Sequence, residues 1–315
     1  MRRLVFFASL ISQFFAVSVL AAVEVIDDRG VVLRRDLPAQ RVIALAPHLT
    51  ELVFAAGAGN RLVGKVRGSD FPPEAQAIAE VGDAAGLDFE RILALRPDLV
   101  LTWGSGNRVV DVEHLERLGF AVLVLEPRRL EDIPRHLRML GLLLGTGARA
   151  QAAALAFVSH ADRLRDRYRG KPALSVLFEA WHRPLITVNG EHLISDVLRL
   201  CGARNAFADL PQLAAAVSPE QVLAADPDAI IIGSEAEHAG SEGWQRYPYL
   251  KSVRTGAIFT VSADLITRQT PRVLDAAEKI CADLDTVRSQ PYRVQRKGRK
   301  GTQRKARKKE PDMNM

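Results

Sequence analysis

Two carboxylates occupy matching places in two similar stretches of this 315-residue chain: "ERILALRPDLVLTWG" begins at Glu90 and "EQVLAADPDAIIIG" at Glu220, 130 residues later. In the second stretch Ser218 suits a helix N-cap and Pro219 the first helical position, while Gln221 stands where a capping box takes Glu or Gln. Asp88 predicts a similar cap in the first stretch, with Glu90 at the same offset. A carboxylate in the first turn gains about 0.3–1 kcal/mol from the helix dipole, which accounts for either acid alone. Repetition adds a second reading. Two fixed negative points, one on each copy of a duplicated unit, suit docking to basic side chains of a partner.

Ligand chemistry is expected where strands end. Trp103 closes "DLVLTW" and is followed by "GSGN", whose glycines would let backbone approach a ligand, although a Trp at a strand end also serves packing. Pro47 and His48 follow "RVIAL" in the same way, and Trp181 and His182 end "SVLFEAW". Asp264 and Arg268 lie four apart in "ADLITRQTPR", the spacing of an ordinary helical ion pair. Trp244 in "WQRYPYL" reads as a packing anchor. Catalytic signatures are missing: there is no G-x-S-x-G, H-E-x-x-H or P-loop, and "GAGNRLVG" follows a helix, the wrong context for a dinucleotide turn. With no CxxC and seven scattered histidines, no metal site is expected either.

The elements that must position these residues alternate. Short apolar runs, "RVIAL", "RLVGKV", "DLVLTW" and "AVLVLE", are strand candidates interleaved with helical segments such as "TELVFAAGAGN", after a predicted hairpin in "VEVIDDRGVVLRR". Continuous apolar strands between helices predict mostly parallel sheets covered on both faces. Residues 130–170 read as nearly all helix, with Gly145 and Gly147 separating a first helix from one of about six turns. Alternation then resumes with "SVLFEAW", the helix "EHLISDVLRLCGARN", the Glu220 helix, "AIIIG" and "AIFTV", and "PRVLDAAEKICADLDTV" closes the fold. "ELVFAAGAGN" and "DVLRLCGARN" echo one another ahead of the two Glu helices. The fold class expected is therefore α/β: two Rossmann-like lobes, residues 23–129 and 171–288, joined through the helical connector 130–170, with a ligand cleft between them.

The ends are of another kind. "MRRLVFFASLISQFFAVSVLAA" has two arginines, an apolar run and small residues, the layout of a cleaved secretory signal over residues 1–22. Residues 289–315 carry ten Lys or Arg between Arg293 and Lys309 and no apolar period, so a disordered basic tail is expected there. Without that tail and the first two arginines, 31 basic residues face 35 acidic ones, and nothing in the body suggests nucleic-acid binding. Cys201 and Cys281 are an even pair in an exported chain, open to two readings: a disulfide stabilising by about 4 kcal/mol, or two buried thiols.

Over residues 23–287 the chain resembles the periplasmic vitamin B12-binding proteins of bacterial ABC importers, within the wider class of metal-chelate receptors for siderophores, haem and cobalamin. The likeness rests on "RVIALAPHLTELVFAAGAGNRLVG", "SDFPP", "FERILALRPDLVLTWGSGN", "WQRYPYLKSVRTGAIFTV" and "SADLITRQTPRVLDAAEKIC". It implies a monomeric periplasmic receptor that is not an enzyme, holds a corrinoid as transported ligand rather than cofactor, and hands it to an inner-membrane ABC permease with basic docking residues. The implied docking acids are Glu90 and Glu220. Ligand contacts are implied for Trp103, Asp264 and Arg268, and a disulfide for Cys201 and Cys281; Pro47, His48 and Trp181 join the expected ligand-binding set by their strand-end positions, with His48 as a helix-start residue or polar cleft contact in preference to an axial metal ligand. Where the family carries two tryptophans and a tyrosine this chain has Ala84, Ala214 and Gly68. A haem or ferric-siderophore receptor is the alternative within the same class.

Overall fold

The computed structural model describes residues 22–83, 85–234 and 241–289. All but the last residue of the expected signal and all but the first of the basic tail lie outside the described residues.

The described residues begin with a hairpin, β1 (Val23–Ile26) on β2 (Val32–Arg35), as the sequence predicts. It continues through β3 (Val42–Ala44), α1 (Pro47–Ala55), β4 (Leu62–Lys65), a small hairpin of β5 (Gly82–Asp83) and β6 (Gly86–Leu87), α2 (Phe89–Leu95), β7 (Leu99–Trp103), α3 (Val109–Arg117) and β8 (Val122–Leu125). Two helices follow, α4 (Asp132–Leu143) and the 22-residue α5 (Gly147–Tyr168). The second half runs β9 (Leu174–Glu179), β10 (Ile186–Val188), α6 (Leu193–Leu200), β11 (Ala203–Asn205), β12 (Ala214–Ala216), α7 (Pro219–Ala225), β13 (Ala229–Ser234), α8 (Ser241–Trp244), α9 (Lys251–Thr255), β14 (Ile258–Ser262), α10 (Ala263–Thr267) and α11 (Val273–Ser289).

Each half builds a four-stranded, all-parallel sheet, in the orders β4-β3-β7-β8 and β11-β9-β13-β14. The two orders are the same pattern, first strand central and second strand outside it, so the internal repeat is a repeat of topology. It reaches single hydrogen bonds. The carboxylate of Asp98 accepts from the backbone N–H groups of Gln40 and Arg41 ahead of β3, and that of Asp228 accepts from Ser175 N at the start of β9. Arg96 (φ 46°) and Asp226 (φ 38°) end α2 and α7 in the left-handed region, each directly before a proline. Non-glycine residues seldom adopt that conformation, so its occurrence at both matched sites reflects one turn used twice.

Strand residues alternate between faces. Val42, Ala44, Leu99 and Leu101 enter one apolar cluster while Ile43 and Val100 enter another under α2 and α3. The first cluster does not stop at the lobe. It runs through Leu137 and Leu140 of α4 and Phe157, Leu164 and Tyr168 of α5 into Val176, Phe178 and Val197 of the second half. Gly141 lets α4 and α5 meet closely, since a Cβ there would stand 2.4 Å from that of Ala150.

Two expectations need correction. The predicted helix "EHLISDVLRLCGARN" stops at Leu200, because Gly202 takes φ +68° and turns the chain, and residues 203–205 become the edge strand β11. The strand in "SVLFEAW" ends at Glu179, so Trp181 lies beyond it in a turn bridged to Ile186. Cys201, closing α6, is disulfide-bonded to Cys281 on α11, and both are fully buried.

Candidate functional site

The carboxyl ends of the two sheets meet. Arg268, which follows β14 and α10, donates to the Gly68 carbonyl (3.2 Å) beyond β4 and to Glu51 Oε1 (2.8 Å) on α1, so the loops after the strands of one sheet face those of the other. Clefts of this kind are where open α/β sheets bind ligands.

On the first wall Trp103 ends β7 half-buried, with the His48 ring edge-on to it at 5.1 Å and 85°. Pro47 and His48 form the first turn of α1, where proline's missing N–H costs nothing. His48 is 3% exposed and its Nε2 has no hydrogen-bond partner among the described residues. Burial, then the nearby charges of His136 and Arg268, lowers its pKa to about 3, so the ring is neutral and braces Trp103. In "GSGN" a Cβ on Gly106 would stand 1.8 Å from the Trp103 ring, so this glycine makes room for the indole, while Gly104 lies against the Glu126 side chain. Asn107, which sequence reasoning missed, completes the corner. Its Oδ1 accepts from Trp103 N (2.7 Å) and its Nδ2 donates to Leu45 O (2.9 Å), tying the end of β7 to that of β3.

On the opposite wall a concavity of about 510 Å³ is lined by residues 179–183 at the end of β9, Arg183 among them, and by residues 232–234 at the end of β13. Trp181 is 63% exposed and its Nε1 donates to Arg183 O. Glu179, almost fully buried, accepts from Trp244 Nε1 (2.6 Å) and engages His182 Nδ1 (2.8 Å), which anchors the buried Trp244 as expected and fixes the His182 ring.

Asp264 and Arg268 do pair, but the ordinary helical ion pair is only part of a larger network. Arg268 Nη1 also meets Asp70 (2.7 Å), and Arg272 grips Glu51 with a two-pronged fork, Nε to Oε2 (3.0 Å) and Nη2 to Oε1 (2.7 Å). The Arg272 guanidinium lies 3.7 Å from the Phe71 ring centroid. Both arginine pKa values rise because their carboxylate partners outweigh burial. At Asp70 burial would raise the pKa, and the hydrogen bond and charge of Arg268 instead draw it below the usual carboxylate value. Glu51 was not singled out in the sequence. Its signal was an acid inside the apolar helix "HLTELVFAAG", with partners more than two hundred residues away.

Glu90 and Glu220 are exposed in the first turns of α2 and α7, outside this network. Asp88 caps Arg91 N, and Ser218 with Gln221 forms the full capping box. The hydrogen bond from the Ser218 hydroxyl, then that from its own backbone, holds the Glu220 carboxyl below its usual pKa. Each acid has an exposed leucine three residues on, Leu93 and Leu223. Of the residues replacing expected aromatics, Gly68 has φ +82°, which disfavours a tyrosine, and Ala214 is exposed on β12; Ala84 lies outside the described residues.

The family model for periplasmic binding protein matches residues 42–265. The chain belongs to the periplasmic binding protein family. A vitamin B12-binding protein of Pectobacterium carotovorum is 39% identical over 250 residues, covering 79% of this chain and 89% of the relative. The crystal structure of the periplasmic vitamin B12-binding protein BtuF of Vibrio cholerae superposes with a TM-score of 0.75 at 34% identity, over 80% of this chain and 99% of that one. A periplasmic haem-binding protein from Pseudomonas aeruginosa also matches, with a TM-score of 0.67 at 26% identity, covering 78% and 92%. One family scaffold thus serves receptors named for different metal chelates. No helix among the described residues is long and apolar enough to cross a membrane.

Proposed function

We propose that this protein is a periplasmic receptor that captures cobalamin or a related corrinoid in the cleft and delivers it to the permease of an ABC importer. The observation that carries the reading is the meeting of two topologically identical lobes at their strand ends, in a chain whose relatives are named for vitamin B12. It binds and releases without chemistry, so it has no catalytic residues and the corrinoid is cargo.

Trp103, braced by His48 and Asn107, supplies apolar surface on one wall and Trp181 on the other, while Pro47 shapes the start of α1. Asp264 and Arg268 offer the ring's polar side chains an acceptor and a donor. The continuous apolar core through α5 resists hinge bending, so the ligand enters a cleft that changes shape little. Glu90 and Glu220, each beside an exposed leucine, meet basic side chains of the permease, one contact per lobe. Export places the protein in the periplasm, where it acts as a monomer.

Reversing both acids, Glu90→Lys with Glu220→Lys, should abolish uptake in cells carrying the cognate permease and leave ligand affinity of the purified protein within about twofold, since both lie outside the cleft. Loss of affinity with uptake retained would overturn the division of roles.

A further inference from the structure

The two guanidinium groups that face the cleft just after α10, those of Arg268 and Arg272, are both ion-paired. Arg268 spends Nη1 on Glu51 and Asp70 and Nη2 on Gly68 O and Asp264. Arg272 spends Nε and Nη2 on Glu51, reaches Asp264 at 3.4 Å and lays its face against Phe71. Two cations therefore stand among three carboxylates. The side chain of Glu51 is 3% exposed and so cannot be drawn out into water, whereas that of Asp70 is 61% exposed and that of Asp264 33%.

We infer that Glu51 is a positioning residue that decides ligand charge: by holding both arginines it sets the cleft against carboxylate-bearing chelates and in favour of chelates whose ring side chains are neutral amides. The chemistry follows from what remains free. A carboxylate entering here finds most guanidinium donors already bonded, with only Arg268 Nε and Arg272 Nη1 not engaged by the three acids, and it meets a surplus negative charge. A carboxamide N–H finds the outer oxygens of Asp70 and Asp264 as acceptors, and an amide oxygen can share the Arg268 fork without adding charge. Specificity then comes from repulsion of the wrong ligand as much as attraction of the right one. The inference deepens the proposed function and rests on the cleft being the ligand site.

The test compares two probes with one ring: dicyanocobinamide, whose periphery carries amides, and dicyanocobyrinic acid, whose periphery carries carboxylates. The full chain should bind the first more tightly. In Glu51→Gln the affinity ratio should move roughly tenfold toward the acid, the factor that about 1.4 kcal/mol produces. Asp70→Asn, at an exposed site that does not threaten folding, should move it the same way by a smaller factor, and Glu51→Asp, which keeps the charge, should stay nearer the wild-type ratio than Glu51→Gln. Binding of the acid in Glu51→Gln should also become more salt-dependent, a change that loosened packing alone would not produce. An unchanged ratio in both Glu51→Gln and Asp70→Asn, or a wild type that already prefers the acid, overturns the inference. If neither corrinoid binds the wild type, the corrinoid reading fails, and the same variants titrated with haemin decide the charge inference through its two propionates: tighter haemin binding in Glu51→Gln supports it and unchanged binding defeats it.

Discussion

At the residue scale the cleft is a matter of supported aromatics and paired charge. Trp103→Ala should lower corrinoid affinity by about tenfold to a hundredfold, the range for a buried aromatic anchor, in calorimetric titration; a change under twofold would remove Trp103 from the site. His48 gives a pH test. Its folded pKa of about 3 lies below the unfolded value of 6.5, so between those limits the unfolded chain holds more protons and the fold loses stability as pH falls. His192, whose Nδ1 accepts from Ile194 N, is lowered to about 4 by burial and then by Arg128, and acts in the same sense. Urea denaturation at pH 7.5 and pH 5 should show a lower midpoint at pH 5 at unchanged m, with a slope approaching about 1.4 kcal/mol per pH unit for each imidazole. A flat profile over that window would contradict the burial of both rings. The sequence makes the strand-end residues legible, because "DLVLTW" and "RVIAL" announce their own ends. It hides Glu51, Asp70 and Asn107, whose meaning lies in partners that only the folded chain brings near.

At the element scale the two Glu helices were readable to the cap, since N-cap chemistry is local: Asp88, Ser218, Pro219 and Gln221 do what their types predict. Ser218→Ala should cost about 1 kcal/mol in denaturation by removing a capping-box acceptor, and should also raise the pKa of Glu220 by NMR titration, because the hydroxyl that holds it low is gone. No movement of that pKa would refute the coupling between the cap and Glu220. The edge strand β11 was misread as helix because its three residues follow "LRLC" with no break but Gly202, and pairing with β9 overrides the local propensity. The small hairpin β5–β6 and the pair of β10 with β12 were not foreseen, having two or three residues a strand and too little length for a period of two to show.

At the scale of the whole molecule the repeat matters most. Equal sheet orders, matched turns at Arg96 and Asp226 and a core continuous through α5 make a two-lobed molecule on one shared core, and Cys201–Cys281 fastens α6 to α11 across a separation of 80 residues. Cys201→Ala with Cys281→Ala should reduce stability by about 4 kcal/mol in denaturant titration, as loop closure over that length implies, while leaving cleft geometry and hence ligand affinity close to wild type; an equal loss of affinity would mean that the bond shapes the site. The measurement that bears most directly on the account is calorimetric titration of residues 23–315 with cyanocobalamin, run beside haemin and a ferric siderophore. The account expects tight one-to-one binding of cyanocobalamin and much weaker binding of the two carboxylate- or charge-bearing chelates. Binding of haemin or the siderophore with no response to cyanocobalamin would contradict it.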